Sequence, residues 1–230
     1  MRLLALDTTT DACSVALRLD GQLISRCVIE PRAHTRQLMP MIQAVLADAG
    51  IPASALDAIA FGRGPGSFTG LRIALGAAQG LGWALQRPLV PVSTLAAVAL
   101  QASRLAQAER VAVSFDARMD EVYWGCFQMQ ADMPMLCGEE HVLAPERAVL
   151  PTSDASDWYG AGNGWALASR FPADTQARVA CRDPALIPLA EDIARLGHAL
   201  FLAGQGVDPA AASPTYLRDE VAWKKLPGRE

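Results

Sequence analysis

Lysine is nearly missing from this chain of 230 residues: only Lys224 and Lys225 are present, both near the C-terminus. A phosphate loop of the G-x-x-x-x-G-K-[ST] kind is excluded, because that motif needs a lysine to reach the phosphates. The eighteen arginines are scattered, the net charge is −4 and the pI is near 5.4. A surface that grips nucleic acid by itself needs clustered basic residues, so direct nucleic-acid binding is argued against. Cysteine is sparse as well. Cys13, Cys27, Cys126, Cys137 and Cys181 are odd in number and show no C-x-x-C spacing. Neither a disulfide framework nor a zinc knuckle is indicated, and buried free thiols in a reducing compartment are expected. The three histidines, His34, His141 and His198, form no i, i+4 pair, and neither H-E-x-x-H nor G-x-S-x-G occurs. Ser67 is followed by Phe68, so no nucleophile elbow forms there. No apolar run reaches transmembrane length, and "MRLLALD" meets an acid at residue 7, too early for a signal peptide. A cytoplasmic protein with no membrane contact is expected.

The chain does have a large apolar content, 51% against 19% charged residues, enough for a well-buried fold. Its first half reads as "LLAL" (3–6), "CSVALR" (13–18) and "QLISRCVI" (22–29), three β-type runs in a meander. A helix follows with Leu38, Met41, Ile42, Val45 and Ala49 on one face, ended by Gly50 and Pro52. His34 opens it, as a cap or a hydrogen-bonding group at an interface, and Pro40 is expected to kink it or mark its true start. A strand (56–61), a glycine-rich stretch, a helix (70–85), a strand (88–92) and a helix (94–107) complete the half. The second half repeats the order more loosely. It has strands at 110–116, 121–128 and 135–143, a short helical piece near 145–150, and a strand at 157–160. A helix after Asn163, a strand near 178–181 and a helix at 189–203 end it.

Two β-β-β-α-β-α-β-α units in tandem predict the duplicated ribonuclease-H-like, actin-like ATPase fold. A doubly wound sheet would alternate strand and helix from its start. The expected lobes are 1–107 and 108–207, with 208–230 as a tail. In this architecture nucleotide phosphates are held on hairpin turns carrying an acid. The matching turns are "LALDTTTDACSVAL" (4–17), with Asp7 and Thr8, and "VSFDARMDEVYWG" (113–125), with Asp116. Neither turn has a glycine before its returning strand, so close approach to a phosphate is hindered. The competing reading is that Asp7, Thr8 and Asp116 close tight turns through side-chain to backbone bonds. "YGAGNGWALASR" (159–170) stands where an adenosine loop would lie.

"FGRGPGSFTGLRIALGAAQG" (61–80) starts like an anion cradle, but its glycines at 62, 64, 66 and 70 miss the G-x-G-x-x-G spacing. In the helix that follows, Gly70, Ala74, Gly76, Ala77, Ala78 and Gly80 leave a smooth face. Helical glycines cost about 1 kcal/mol each relative to alanine, so close packing should offset them, inside the fold or across an interface.

Together, "LALDTTTDACSVAL", "HTRQLMPMIQAVL", "FGRGPGSFTGLRIALGAAQGLGWAL", "SFDARMDEVYWG" and "PTYLRDEVAWKK" resemble the TsaB family. Ala74 stands where that family more usually has glycine. The resemblance implies an accessory subunit of bacterial tRNA threonylcarbamoyladenosine synthesis, without catalytic residues of its own. It would pair with the catalytic paralogue TsaD, work with the ATPase TsaE, and form a homodimer when alone. In the paralogue two histidines at i, i+4 hold a metal. Thr94 and Val98 stand at those positions here, so no metal is expected. The implied partner surface is the helices at about 34–49 and 70–85, with His34, Leu38, Met41, Ile42, Val45, Arg72, Ile73, Gly76, Ala77 and Gly80. No cofactor of its own is implied. The place left for ATP or ADP is the junction with partner subunits. The alternative is an enzyme in its own right, an actin-like ATPase, kinase or glycoprotease-like peptidase built on Asp7 and Asp116.

Overall fold

The computed structural model of the protein describes residues 1–151 and 158–218. Asp157 of the predicted strand and residues 219–230 of the tail, Lys224 and Lys225 among them, lie outside the described residues. Strands β1 (Arg2–Asp7), β2 (Ala12–Leu19) and β3 (Gln22–Ile29) are followed by α1 (His34–Asp48), β4 (Ala58–Gly64), α2 (Phe68–Leu85), β5 (Leu89–Ser93) and α3 (Thr94–Ala106). The second half has β6 (Arg110–Arg118), β7 (Glu121–Gln130), β8 (Met133–Leu136), β9 (His141–Leu143) and β10 (Trp158–Ala161). A 3₁₀ segment (Asn163–Arg170), α4 (Ala173–Arg178), β11 (Val179–Asp183) and α5 (Ala190–Leu202) follow.

The two sheets share one topology. The first is ordered β3-β2-β1-β4-β5 and the second β8-β7-β6-β10-β11, in each case an antiparallel meander followed by two parallel strands. This is the duplicated ribonuclease-H-like order of the actin-like ATPase fold. Period-2 alternation divides the side chains between faces. Leu4, Leu6, Val15, Ile59 and Phe61 meet α1 and α2 on one face, while Leu3, Ala5, Ala60, Val90 and Val92 meet α5 on the other. On the second sheet Val111, Val113, Phe115 and Phe127 pack against Leu95, Val98, Ala99 and Ala102 of α3. Helix α5 of the second half therefore covers the first sheet, and α3, from the end of the first half, covers the second.

Several local expectations change. Helix α1 begins at His34 and runs through Pro40, which sits on its exposed side. His34 does not cap: Ala33 holds the cap position and no side-chain cap bond forms. The strand expected over 135–143 divides into β8 and β9, both paired with β7. Gly138 takes a left-handed φ of 95°, and the side chain of Glu140 is drawn away to Ser93 and Arg63. The helix after Asn163 is 3₁₀, interrupted at Leu167. Only Cys13 and Cys126 are buried, with Cys137 half-buried and Cys27 and Cys181 exposed, and all five are free.

Candidate functional site

The turn between β1 and β2 is closed from within. The Asp7 carboxylate accepts hydrogen bonds from the Thr9 N–H (3.1 Å) and the Thr9 hydroxyl (3.0 Å), and both residues are buried. The glycine-rich stretch between β4 and α2 lies directly on this turn. The Ser67 N–H donates to the Thr9 carbonyl at 2.8 Å, and the Thr8 hydroxyl donates to the Gly70 carbonyl at 2.7 Å. The approach is so close that a Cβ on Gly62 would stand 2.0 Å from an Asp7 oxygen, and one on Gly70 would stand 1.9 Å from the Thr8 carbonyl. The glycines that looked like a phosphate cradle admit the protein's own hairpin instead. Burial pushes the Asp7 carboxyl up to about 7, with the Thr9 bonds pulling partly against it.

Asp116 occupies the matching turn of the second sheet and is exposed. Its carboxylate accepts from the Arg118 N–H at 2.8 Å, and its own N–H donates to the Asn163 side chain at 3.0 Å. Both acids thus make the i to i+2 side-chain bond of an Asx turn. Here too a glycine loop packs on the neighbouring strand: a Cβ on Gly164 would stand 2.1 Å from the Ser114 hydroxyl. That hydroxyl is buried without a hydrogen-bond partner.

Thr94 and Val98 are both fully buried. The Thr94 hydroxyl donates to the Pro65 carbonyl at 2.5 Å, and Val98 packs under the second sheet. Their side chains serve the core at the start of α3.

The expected interface residues fall into two groups. Leu38, Met41, Ile42 and Val45 are buried in the first lobe's own core, and His34 is buried with its Nδ1 unpartnered. An apolar stripe at helical spacing marks the core-facing side of α1, which removes these residues from direct contact with a partner in this conformation. On α2 the placement differs. Arg72, Gly76 and Gly80 are exposed, and Ile73 and Ala77 are half-buried beside them. Nothing lies within 4 Å of a Cβ built on Gly76 or Gly80. Two large residues on this helix, Trp83 (67% exposed) and Phe68 (55% exposed), were not among the expected site residues. Trp83 could have been found from its spacing, because it follows Gly76 and Gly80 at i+7 and i+3 on one helical face.

A contact between the lobes was also missed. Glu140, with its side chain only 6% exposed, pairs with Arg63 at 3.2 Å and accepts from the Ser93 hydroxyl. No local sequence pattern signals an ion pair 77 residues apart.

The family described as TsaD, tRNA N6-adenosine threonylcarbamoyltransferase, matches residues 28–225. A curated protein of Escherichia coli (strain K12), tRNA threonylcarbamoyladenosine biosynthesis protein TsaB, is 42% identical over 235 residues, covering 100% of both chains. The Haemophilus influenzae protein of the same name is 40% identical over 242 residues, covering 100% of this chain and 99% of its own. The solved structure of YeaZ from Pseudomonas aeruginosa aligns with a TM-score of 0.90 at 51% identity, covering 94% of this chain and 99% of that one.

Proposed function

The chain belongs to the TsaB family, and on that premise we propose that it is a non-catalytic accessory subunit in tRNA threonylcarbamoyladenosine biosynthesis. In this reading it pairs with a TsaD-type catalytic paralogue and acts with a TsaE-type ATPase in the cytoplasm. The reaction served is transfer of threonylcarbamoyl from its adenylate to N6 of the adenosine beside the anticodon. The metal and the reacting groups belong to the paralogue, and tRNA is reached only through it.

One observation carries the placement of the partner. Gly76 and Gly80 sit mid-helix on the open face of α2, where no other element of the described residues comes within 4 Å of a Cβ built on either. Each costs about 1 kcal/mol relative to alanine, and no packing against another element among the described residues offsets that cost. A helix from another subunit approaching closely along Gly76, Gly80 and the flanking Arg72, Ile73, Ala77 and Trp83 would do so. Without the paralogue, a second copy meets the same face, giving a two-fold homodimer. The filled Asp7 turn supports assigning any ATP or ADP of the assembly to the junction between subunits.

Reconstitution tests the reading. The paralogue, the ATPase, the adenylate-forming enzyme, unmodified tRNA, threonine, bicarbonate and ATP are incubated with and without this protein, and nucleosides are assayed by mass spectrometry. Modified adenosine is expected only in its presence, and Gly76→Trp should abolish both product and co-elution with the paralogue. Equal product in both tubes would sink the accessory role. Undiminished co-elution of the variant would instead remove α2 as the partner face.

A further inference from the structure

After α5, residues 207–218 thread along the first lobe and reach the second. Val207 pairs with Leu89 through backbone bonds of 2.9 and 2.8 Å. The Gln79 side chain donates to the carbonyls of Pro209 (3.0 Å) and Ala212 (3.3 Å), and Ala212 is buried in the first lobe's core. The Thr215 N–H donates to the Arg63 carbonyl at 2.7 Å, and the Arg63 guanidinium donates back to the Thr215 hydroxyl at 2.5 Å. Tyr216 stacks on Phe68, ring centres 5.6 Å apart, and its hydroxyl accepts from Arg72 at 3.3 Å. Arg218 then pairs with Glu121 and donates to the Arg118 carbonyl at 3.4 Å, both at the β6–β7 turn of the second lobe.

The first lobe is shaped to seat this segment. A Cβ on Gly82 of α2 would stand 2.9 Å from the Pro209 ring, and one on Gly64 would stand 3.1 Å from the Thr215 carbonyl. The same Arg63 that holds Thr215 also holds Glu140 of the second lobe. One guanidinium therefore gathers the glycine stretch, the tail and the opposite lobe. The distribution of contacts is uneven. Between 207 and 216 the segment is anchored repeatedly to the first lobe, whereas Arg218 carries its hold on the second.

We propose that residues 207–218 form a latch, closed by Arg218 on Glu121, which fixes the spacing of the two lobes and couples it to the exposed start of α2 through Tyr216. The coupling is physical: Tyr216, two residues ahead of the Arg218 that closes the latch, contacts Phe68 and Arg72 in the first turns of α2. Lobe movement that strains the pair pulls on that stack, and displacement of the stack slackens the pair. The latch does not depend on the assignment of the partner.

Hydrogen exchange of the full chain by mass spectrometry tests it, using Arg218→Glu, Glu121→Arg and the double exchange of charges. Each single variant should speed exchange roughly threefold in 118–121, 207–218 and 63–72, the size expected of one partly buried ion pair. β1 and residues 58–62 of β4 should keep their protection, and the charge-swapped double variant should return all three segments toward the parent rates. Parent-like exchange in the single variants overturns the latch, as does a swap that fails to restore. If a single variant loses protection throughout both sheets, Tyr216→Ala decides, because it leaves both charges in place. Faster exchange confined to the three segments then supports coupling, and unchanged exchange refutes it.

Discussion

The two lobes repeat one strand order and cover it differently. The outer face of the first sheet carries α1 and α2, of 15 and 18 residues, packed through aliphatic side chains. The outer face of the second carries an 8-residue 3₁₀ segment and the 6-residue α4. There Trp124, Trp165 and Phe171 fill the volume that longer helices fill elsewhere, with ring centres 4.8 to 5.8 Å apart. Large rings bury much area from a short backbone, so one topology survives with little helix. Long helices also leave an outer surface to present, and the exposed glycines of α2 are on the lobe that has it.

The comparison can be broken first at the aromatic cluster. Trp165 is buried and donates from its ring nitrogen to the Ala112 carbonyl at 2.8 Å. Trp165→Ala should cost roughly 3–5 kcal/mol in denaturant unfolding, since three elements share that ring and none can collapse into its place. A cost below about 1 kcal/mol would mean the second lobe does not rest on its aromatics.

The paired acids give the next test. Folded protein holds the Asp7 proton up to about pH 7, whereas an unfolded chain releases it near 3.8. The folded state binds more protons between those values, so the stabilisation is full below the lower one. It falls as pH rises through the window and is gone above about 7. At about 1.4 kcal/mol per pH unit, the fall is on the order of 4 kcal/mol. Asp7→Asn should flatten it in unfolding curves measured from pH 4 to 8. An unchanged slope would place the titration elsewhere.

Glycines within α2 sharpen the contrast between sealed and open faces. Gly70→Ala drives a methyl into the Thr8 carbonyl and should cost roughly 2–3 kcal/mol. Within one subunit Gly76→Ala and Gly80→Ala meet open space, so each should stabilise the monomer by about 1 kcal/mol, read as a raised Tm at protein concentrations too low for self-pairing. Destabilisation by either would show that the fold itself needs those glycines.

The strand order was legible because alternating apolar residues and turn-forming glycines mark each element locally. The placement of Asp7 was not. Nothing in "LALDTTTDACSVAL" reveals that residues 62–70 will lie on it, since that contact spans more than fifty residues and rests on backbone shape. The apolar stripe of α1 was read correctly as a stripe and assigned to a partner, although Leu38, Met41, Ile42 and Val45 face the core. On α2 the small residues divide between two roles that spacing alone does not separate, since Gly70 and Ala74 are buried whereas Gly76 and Gly80 are exposed. The break at Cys137–Glu140 and the 3₁₀ geometry after Asn163 depend on contacts from other elements, which a local pattern does not carry.

The covering of the first sheet by α5 also sets a schedule on the ribosome. All five strands of that sheet are synthesised by Ser93, yet the side lined by Leu3, Ala5, Ala60, Val90 and Val92, met early only by Ala97 and Leu100 of α3, receives α5 only with residues 190–202. At translation rates of about 5–20 residues per second, that side stays only partly covered for roughly 5–20 s. During that interval the emerging chain exposes part of an apolar face, and its first half is finished only when the second half arrives.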